Sequence, residues 1–67
     1  MRIDARGMLC PWPAIRLARA IREGGDDVIE VLADDPKAAG ELAEVAAAAG
    51  WEFDIENGYF CVHRGKP

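Results

Sequence analysis

Apolar and polar positions alternate from Met1 to Ala5, with Met1, Ile3 and Ala5 on one side and Arg2 and Asp4 on the other. That period of two predicts a short strand. After a loop through Arg6-Gly7-Met8-Leu9 the period changes. From Pro13, Ala14, Leu17, Ala18 and Ile21 recur at helical spacing while Arg16, Arg19 and Arg22 line another face, and Gly24-Gly25 stops the helix. Val28 to Ala33 is apolar and rich in β-branched residues, which predicts a mostly buried strand. Asp35-Pro36 reads as the N-cap and first residue of a second helix. Its stripe is Ala39, Leu42, Ala46 and Ala49, widened by Val45, and Gly50 ends it.

The last segment is the most explicit. Trp51, Phe53 and Ile55 alternate with Glu52, Asp54 and Glu56, Asn57-Gly58 is a two-residue hairpin turn, and a final strand runs from Tyr59 to Arg64. The turn sets the register: Glu56 opposite Tyr59, Ile55 opposite Phe60, Asp54 opposite Cys61, Phe53 opposite Val62 and Glu52 opposite His63. Phe60 and Val62 then join the core, and Cys61 and His63 point to the other side of the sheet. The element order is β-α-β-α-β-β. Strands joined through helices are expected to be parallel with right-handed crossovers. One apolar stripe per helix and one apolar sheet face predict an α+β, two-layer α/β sandwich with both helices on one face of a four-stranded mixed sheet.

Size limits what such a chain can do. Of 67 residues, 51% are hydrophobic, but 12 of these are alanines and only 22 larger apolar side chains remain for a core. The chain is read as one domain, residues 1–67, with no room for a bulky enclosed cofactor. Any chemistry belongs at the surface, shared with a partner. Met1-Arg2-Ile3-Asp4 is followed by no apolar run, and no stretch approaches the roughly 20 apolar residues of a membrane span. A cytoplasmic setting without membrane association is therefore expected, with Cys10 and Cys61 as free thiols. His63 is the only histidine and there is no Cys-x-x-Cys pair, so no metal site is expected. The net charge of −4 is unevenly spread. Residues 1–22 carry five arginines against Asp4, whereas residues 23–56 carry eleven acids against Lys37. Such a division gives the molecule a preferred docking side.

The chemistry concentrates in Asp4-Ala5-Arg6-Gly7-Met8-Leu9-Cys10-Pro11-Trp12-Pro13. Prolines disfavour helix in the residue before them, so Cys10 and Trp12 are expected to be extended, with the helix starting near Pro13. Cys10 would then be held rigidly beside the positive end of a helix. That setting favours thiolate over thiol, with Arg6 adding positive charge. An exposed thiolate of low pKa is a nucleophile without need of a histidine base.

This string resembles the TusA/SirA-like family of small sulfur carriers, whose signature is the Cys-Pro-x-Pro motif. The matching residues are Asp4, Arg6, Gly7, Cys10, Pro11 and Pro13, and the family's acidic pair followed by proline matches Asp34-Asp35-Pro36. The resemblance implies a sandwich like the C-terminal domain of translation initiation factor three, with strand order 1-2-4-3. It implies that Cys10 carries sulfane sulfur as a persulfide, supported by Arg6, Gly7, Pro11 and Pro13. The carrier would act stoichiometrically, without a cofactor. A cysteine desulfurase or rhodanese would donate the sulfur and a downstream protein would accept it. Members that serve tRNA thiolation begin the second helix with Asp-Ile-Pro. Gly40-Glu41-Leu42-Ala43 stands there instead, which leaves the acceptor open.

The remaining residues read more plainly. Cys61, opposite Asp54, has no helix terminus nearby and reads as structural. His63 and Glu52 read as a cross-strand polar pair. Asp34 and Asp35 look like a catalytic carboxylate pair only superficially, since Asp35 is needed as a cap. Arg16 and Arg19 are either solvated or met by a partner approaching Cys10, and Trp12 is either a lid on the core or a contact residue. Two other functions compete: a non-catalytic interaction or regulatory module, and RNA binding. The strongly acidic middle of the chain argues against direct nucleic-acid binding.

Overall fold

The structure, a computed structural model, describes residues 1–65; Lys66 and Pro67 lie outside the described residues. The elements are β1 (Arg2–Asp4), α1 (Trp12–Glu23), β2 (Val28–Leu32), α2 (Ala38–Ala49), β3 (Trp51–Ile55) and β4 (Phe60–Arg64). They form one sheet in the order β1-β2-β4-β3, with β1 parallel to β2 and the other neighbours antiparallel.

The β3–β4 hairpin has the register that its turn dictates, from Ile55 opposite Phe60 to Glu52 opposite His63. The Glu56 N–H donates to the Tyr59 carbonyl at 2.9 Å and closes it. Ile3, Ile29, Val31 and Val62 on the inner face are buried, as are Leu17 and Ala20 of α1 and Leu42 and Ala46 of α2. Phe53 and Phe60 stack at 5.8 Å at the edge of this core. Trp51 is buried beneath the Arg64 guanidinium, 5.2 Å from the ring centroid. The outer face carries Arg2, Glu30, Cys61, His63 and Asp54. There the His63 ring pairs diagonally with Asp54 at 2.9 Å, not with Glu52 directly opposite.

Several expectations need correction. Ile55 is 68% exposed, because it ends the edge strand beyond the cover of the helices. Val28 is 47% exposed: β2 is central, but its outer face is open, so the strand alternates and is not buried on both sides. On α1 the sheet-facing residues are Pro13, Leu17 and Ala20, roughly a quarter-turn from the expected stripe. Ala18 and Ile21 instead line a shallow apolar groove with Val45, Ala48 and Ala49 of α2. A helix in a two-layer sandwich meets both a sheet and a second helix, so its apolar arc is wider than one stripe. On α2, Ala38 takes the buried place expected of Ala39, and Ala49 is exposed at the helix end. Gly50 ends α2 in the left-handed region at φ 76°, its N–H satisfying the carbonyls of Ala46 and Ala47.

The start of α2 also differs. Asp35 is not its N-cap and Pro36 is not its first residue. Residues 35–38 form a turn, closed by the Ala38 N–H on the Asp35 carbonyl at 2.9 Å, and the helix begins at Ala38. The Asp35 carboxylate has another task.

Candidate functional site

Cys10 lies in the loop between β1 and α1, and two tight turns shape that loop. In the first, the Met8 N–H reaches the Ala5 carbonyl at 3.1 Å, with Gly7 at φ +82° in the third position. Only glycine adopts that conformation without strain. In the second, the Trp12 N–H reaches the Leu9 carbonyl at 2.9 Å across Cys10-Pro11, whose peptide bond is cis. Cys10 therefore sits in a turn, and Trp12 is the first helical residue, not extended as the proline after it predicted. The turn delivers Trp12 directly into the helix, where Pro13 occupies a position that needs no intrahelical N–H.

Asp34 and Asp35 clamp this loop. The Gly7 N–H donates to Asp34 Oδ1 at 3.0 Å, and the Cys10 N–H donates to Asp35 Oδ2 at 2.8 Å. Asp35 Oδ1 meanwhile accepts the Lys37 N–H at 2.9 Å. These hydrogen bonds to Lys37 and Cys10 hold the Asp35 carboxyl below the usual range. The acidic pair is thus the anchor that joins the start of α2 to the cysteine loop, and Asp35 is not a helix cap. Arg6 is paired with Asp4: its Nη2 meets Asp4 Oδ2 at 2.9 Å, and its backbone N–H donates to Asp4 Oδ1 at 3.2 Å. The Arg6 pair holds the Asp4 carboxyl down to about 2.

The thiol departs most from expectation. Cys10 is half-buried, and its Sγ–H donates to Glu41 Oε2. This hydrogen bond, then burial, then the charges of Glu41 and Asp35 push the thiol pKa up, against a smaller opposing effect of Lys37. The helix terminus does not reverse this. Pro11 and Pro13 have no N–H, the Trp12 N–H is spent on Leu9, and the Cys10 N–H is spent on Asp35. The surroundings of Cys10 therefore oppose the low-pKa thiolate that the sequence predicts. Of the two acids responsible, Asp35 reads in the sequence as a helix cap and Glu41 is missed, its one local hint being that it is an acid on the first turn of a helix that follows two more acids.

Apolar side chains close to Cys10 in the chain are exposed. Leu9 is 72%, Trp12 58% and Ile15 47% exposed. Trp12 is thus exposed and no lid on the core. Arg16 and Arg19 continue from Trp12 along the exposed side of α1, Arg19 tied to Glu23 at 3.1 Å. Cys61 is half-buried on the outer sheet face, where burial and the charges of Asp54, Glu56 and Glu30 raise its pKa. Among the described residues no group of three or more His, Cys, Asp or Glu side chains could hold a metal ion, and no helix is long and apolar enough to cross a membrane.

Residues 1–63 match the protein family described as Sulfurtransferase TusA. The chain belongs to this family. It is also 35% identical over 52 residues to an Archaeoglobus fulgidus protein named "Putative sulfur carrier protein", covering 76% of this chain and 68% of that one. The crystal structure of a SirA-like protein from Desulfitobacterium hafniense superposes with a TM-score of 0.78 at 30% identity, over 97% of each chain. Membership of the TusA family gives the chain a sulfur-carrier role, which requires a donor to load it and an acceptor to unload it.

Proposed function

We propose that the chain carries sulfane sulfur as a persulfide on Cys10 and relays it by thiol–persulfide exchange. The observation that carries this reading is the loop itself: the acidic pair of the family pattern binds the backbone of the cysteine and of Gly7, so the fold is built to hold this one thiol in place. In loading, Cys10 Sγ attacks the terminal sulfur of a donor persulfide. A bond forms between Sγ and that sulfur, the donor's S–S bond breaks, and its electron pair leaves with the donor thiolate. The oxidation level of the transferred sulfur does not change, so the exchange needs no external oxidant or reductant. Unloading repeats the step with an acceptor thiol as the attacking group.

The donor is a cysteine desulfurase or rhodanese-like enzyme, and its docking surface is the apolar rim of Leu9, Trp12 and Ile15 extended by Arg16 and Arg19. Exposed tryptophan beside arginine is the side-chain chemistry that contributes most at protein interfaces. The outer sheet face carries Asp4, Glu30, Glu52 and Asp54 against Arg2 and His63, which supports protein partners over RNA.

Intact-mass spectrometry tests the reading. Incubation with a cysteine desulfurase and cysteine is expected to add about 32 Da per sulfur as a persulfide. The gain should vanish in Cys10→Ala and persist in Cys61→Ala. Labelling confined to Cys61 would overturn the reading.

A further inference from the structure

We propose that Glu41 is a load-sensitive latch on the carrier thiol: its carboxylate holds the empty Cys10 as a neutral thiol and repels the anionic persulfide once sulfur is bound. The latch rests on the persulfide reading and names the residue that regulates the same site.

The geometry is that of a donor and acceptor matched in one state only. Glu41 stands on the first turn of α2, and Oε2 accepts the Cys10 Sγ–H. Its other oxygen, Oε1, is buried and has no partner. A carboxylate oxygen left without a donor away from water is costly, so this side chain depends on the one hydrogen bond that Cys10 supplies. The charged groups that act on the sulfur are Glu41, Asp35 and Lys37, all from the start of α2 and the turn before it. Arg6, the nearest cation in the cysteine loop by sequence, is paired with Asp4. Two acids against one base favour a neutral sulfur.

Loading removes the condition for the contact. Cys10 gives its proton to Glu41 as Sγ attacks, and the departing donor thiolate takes that proton up, so Glu41 returns to its charged form. The new persulfide is more acidic than a thiol and releases its own proton to solvent. Its terminal sulfur lies about 2 Å beyond Sγ, carries negative charge and has no hydrogen to give. Repulsion from Glu41 and Asp35 then turns it toward the exposed rim at Leu9 and Trp12, where an acceptor docks. The empty carrier is protected and the full one is presented.

The test uses the full chain with Cys61→Ser, so that Cys10 is the single thiol, and follows its iodoacetamide alkylation against pH. In Glu41→Gln the alkylation profile is expected to move to lower pH by about one unit, a roughly tenfold faster reaction at pH 7. Glu41→Asp, which keeps the charge, should restore much of the wild-type profile. A Glu41→Gln profile that coincides with wild type, or moves to higher pH, overturns the latch. The second arm loads Cys10 with inorganic polysulfide and repeats the titration on the persulfide. Here Glu41→Gln is expected to change little; a shift as large as that of the thiol shows that Glu41 holds both states and also overturns it. Failure of polysulfide to load Cys10 at all counts against the persulfide reading, and the thiol arm still measures the Glu41 contact on its own.

Discussion

Leu17 and Ile15 lie two residues apart on α1 and separate the fold from the function. Leu17 is fully buried, whereas Ile15 is 47% exposed on the turn of α1 that follows the cysteine loop. Truncating a buried leucine to alanine costs about 2–5 kcal/mol, the lost transfer energy plus that of the cavity left behind. A 67-residue chain has roughly 3–10 kcal/mol of stability in total, so Leu17→Ala should remove about a fifth of it at the least. With a urea m-value near 1 kcal/mol/M for so small a domain, the unfolding midpoint should fall by roughly 2–5 M. Ile15→Ala gives up only the half of its side chain that is covered, about 1 kcal/mol at most. It should nevertheless slow loading by a cysteine desulfurase about fivefold, the effect of ~1 kcal/mol at a docking contact. Equilibrium urea unfolding and the loading rate are measured on the same two proteins. Equal destabilisation by the two substitutions, or a Leu17→Ala cost below about 1 kcal/mol, would refute the placement of α1's inner and outer faces.

Two further outcomes follow from the loop. Asp34→Ala and Asp35→Ala remove the acceptors of the Gly7 and Cys10 amides, so those two amides should exchange with solvent about tenfold faster by NMR, with core strand amides unchanged; unaltered exchange would show that the acidic pair does not hold the loop. The Asp4 carboxyl should titrate at about 2 by carbon chemical shift. Because that pKa is depressed by Arg6, whatever the pair contributes is fully present above the ordinary value of 3.8 and is lost as pH falls through about 2. A midpoint at 3.8 would show that the Asp4–Arg6 pair does not form in solution.

The parts of this molecule that could be read from sequence are those set by local rules. Asn57-Gly58 permits one hairpin register, and a period of two then assigns every side chain of β3 and β4 to a face, so each cross-strand pair was legible. The helix faces were less so. With alanine at 38, 39, 46, 47, 48 and 49, apolarity cannot distinguish one side of α2 from the next, and the choice of Ala38 over Ala39 is made by the sheet beneath. Cys10 is legible because prolines and a glycine bear on one loop, whereas the hold of the acidic pair on that loop is not, Asp35 being read as a helix cap. Glu41 was not, since it lies 31 residues away and reaches the sulfur only through the tertiary packing of α2 against that loop. Leu9, read as part of a loop, and Ile15, left off the predicted stripe of α1, carry no signal of their own in the sequence, and their exposure emerges only from the packing.

The uneven charge of the chain takes on a physical meaning in this light. Its cations and acids do meet, Arg2 with Glu30 at 3.0 Å and Arg64 with Asp27 at 2.9 Å, but at the surface, where such pairs contribute about 0–1 kcal/mol each. Stability is therefore a poor explanation for so strong a division. Asp34, Asp35 and Glu41 instead converge on one loop, two holding its backbone and the third its sulfur. Acids placed there oppose the ionisation that an always-reactive cysteine would need. A free enzyme nucleophile would be poorly served by this arrangement. A carrier, which must remain inert between two partners and react only with them, gains from it.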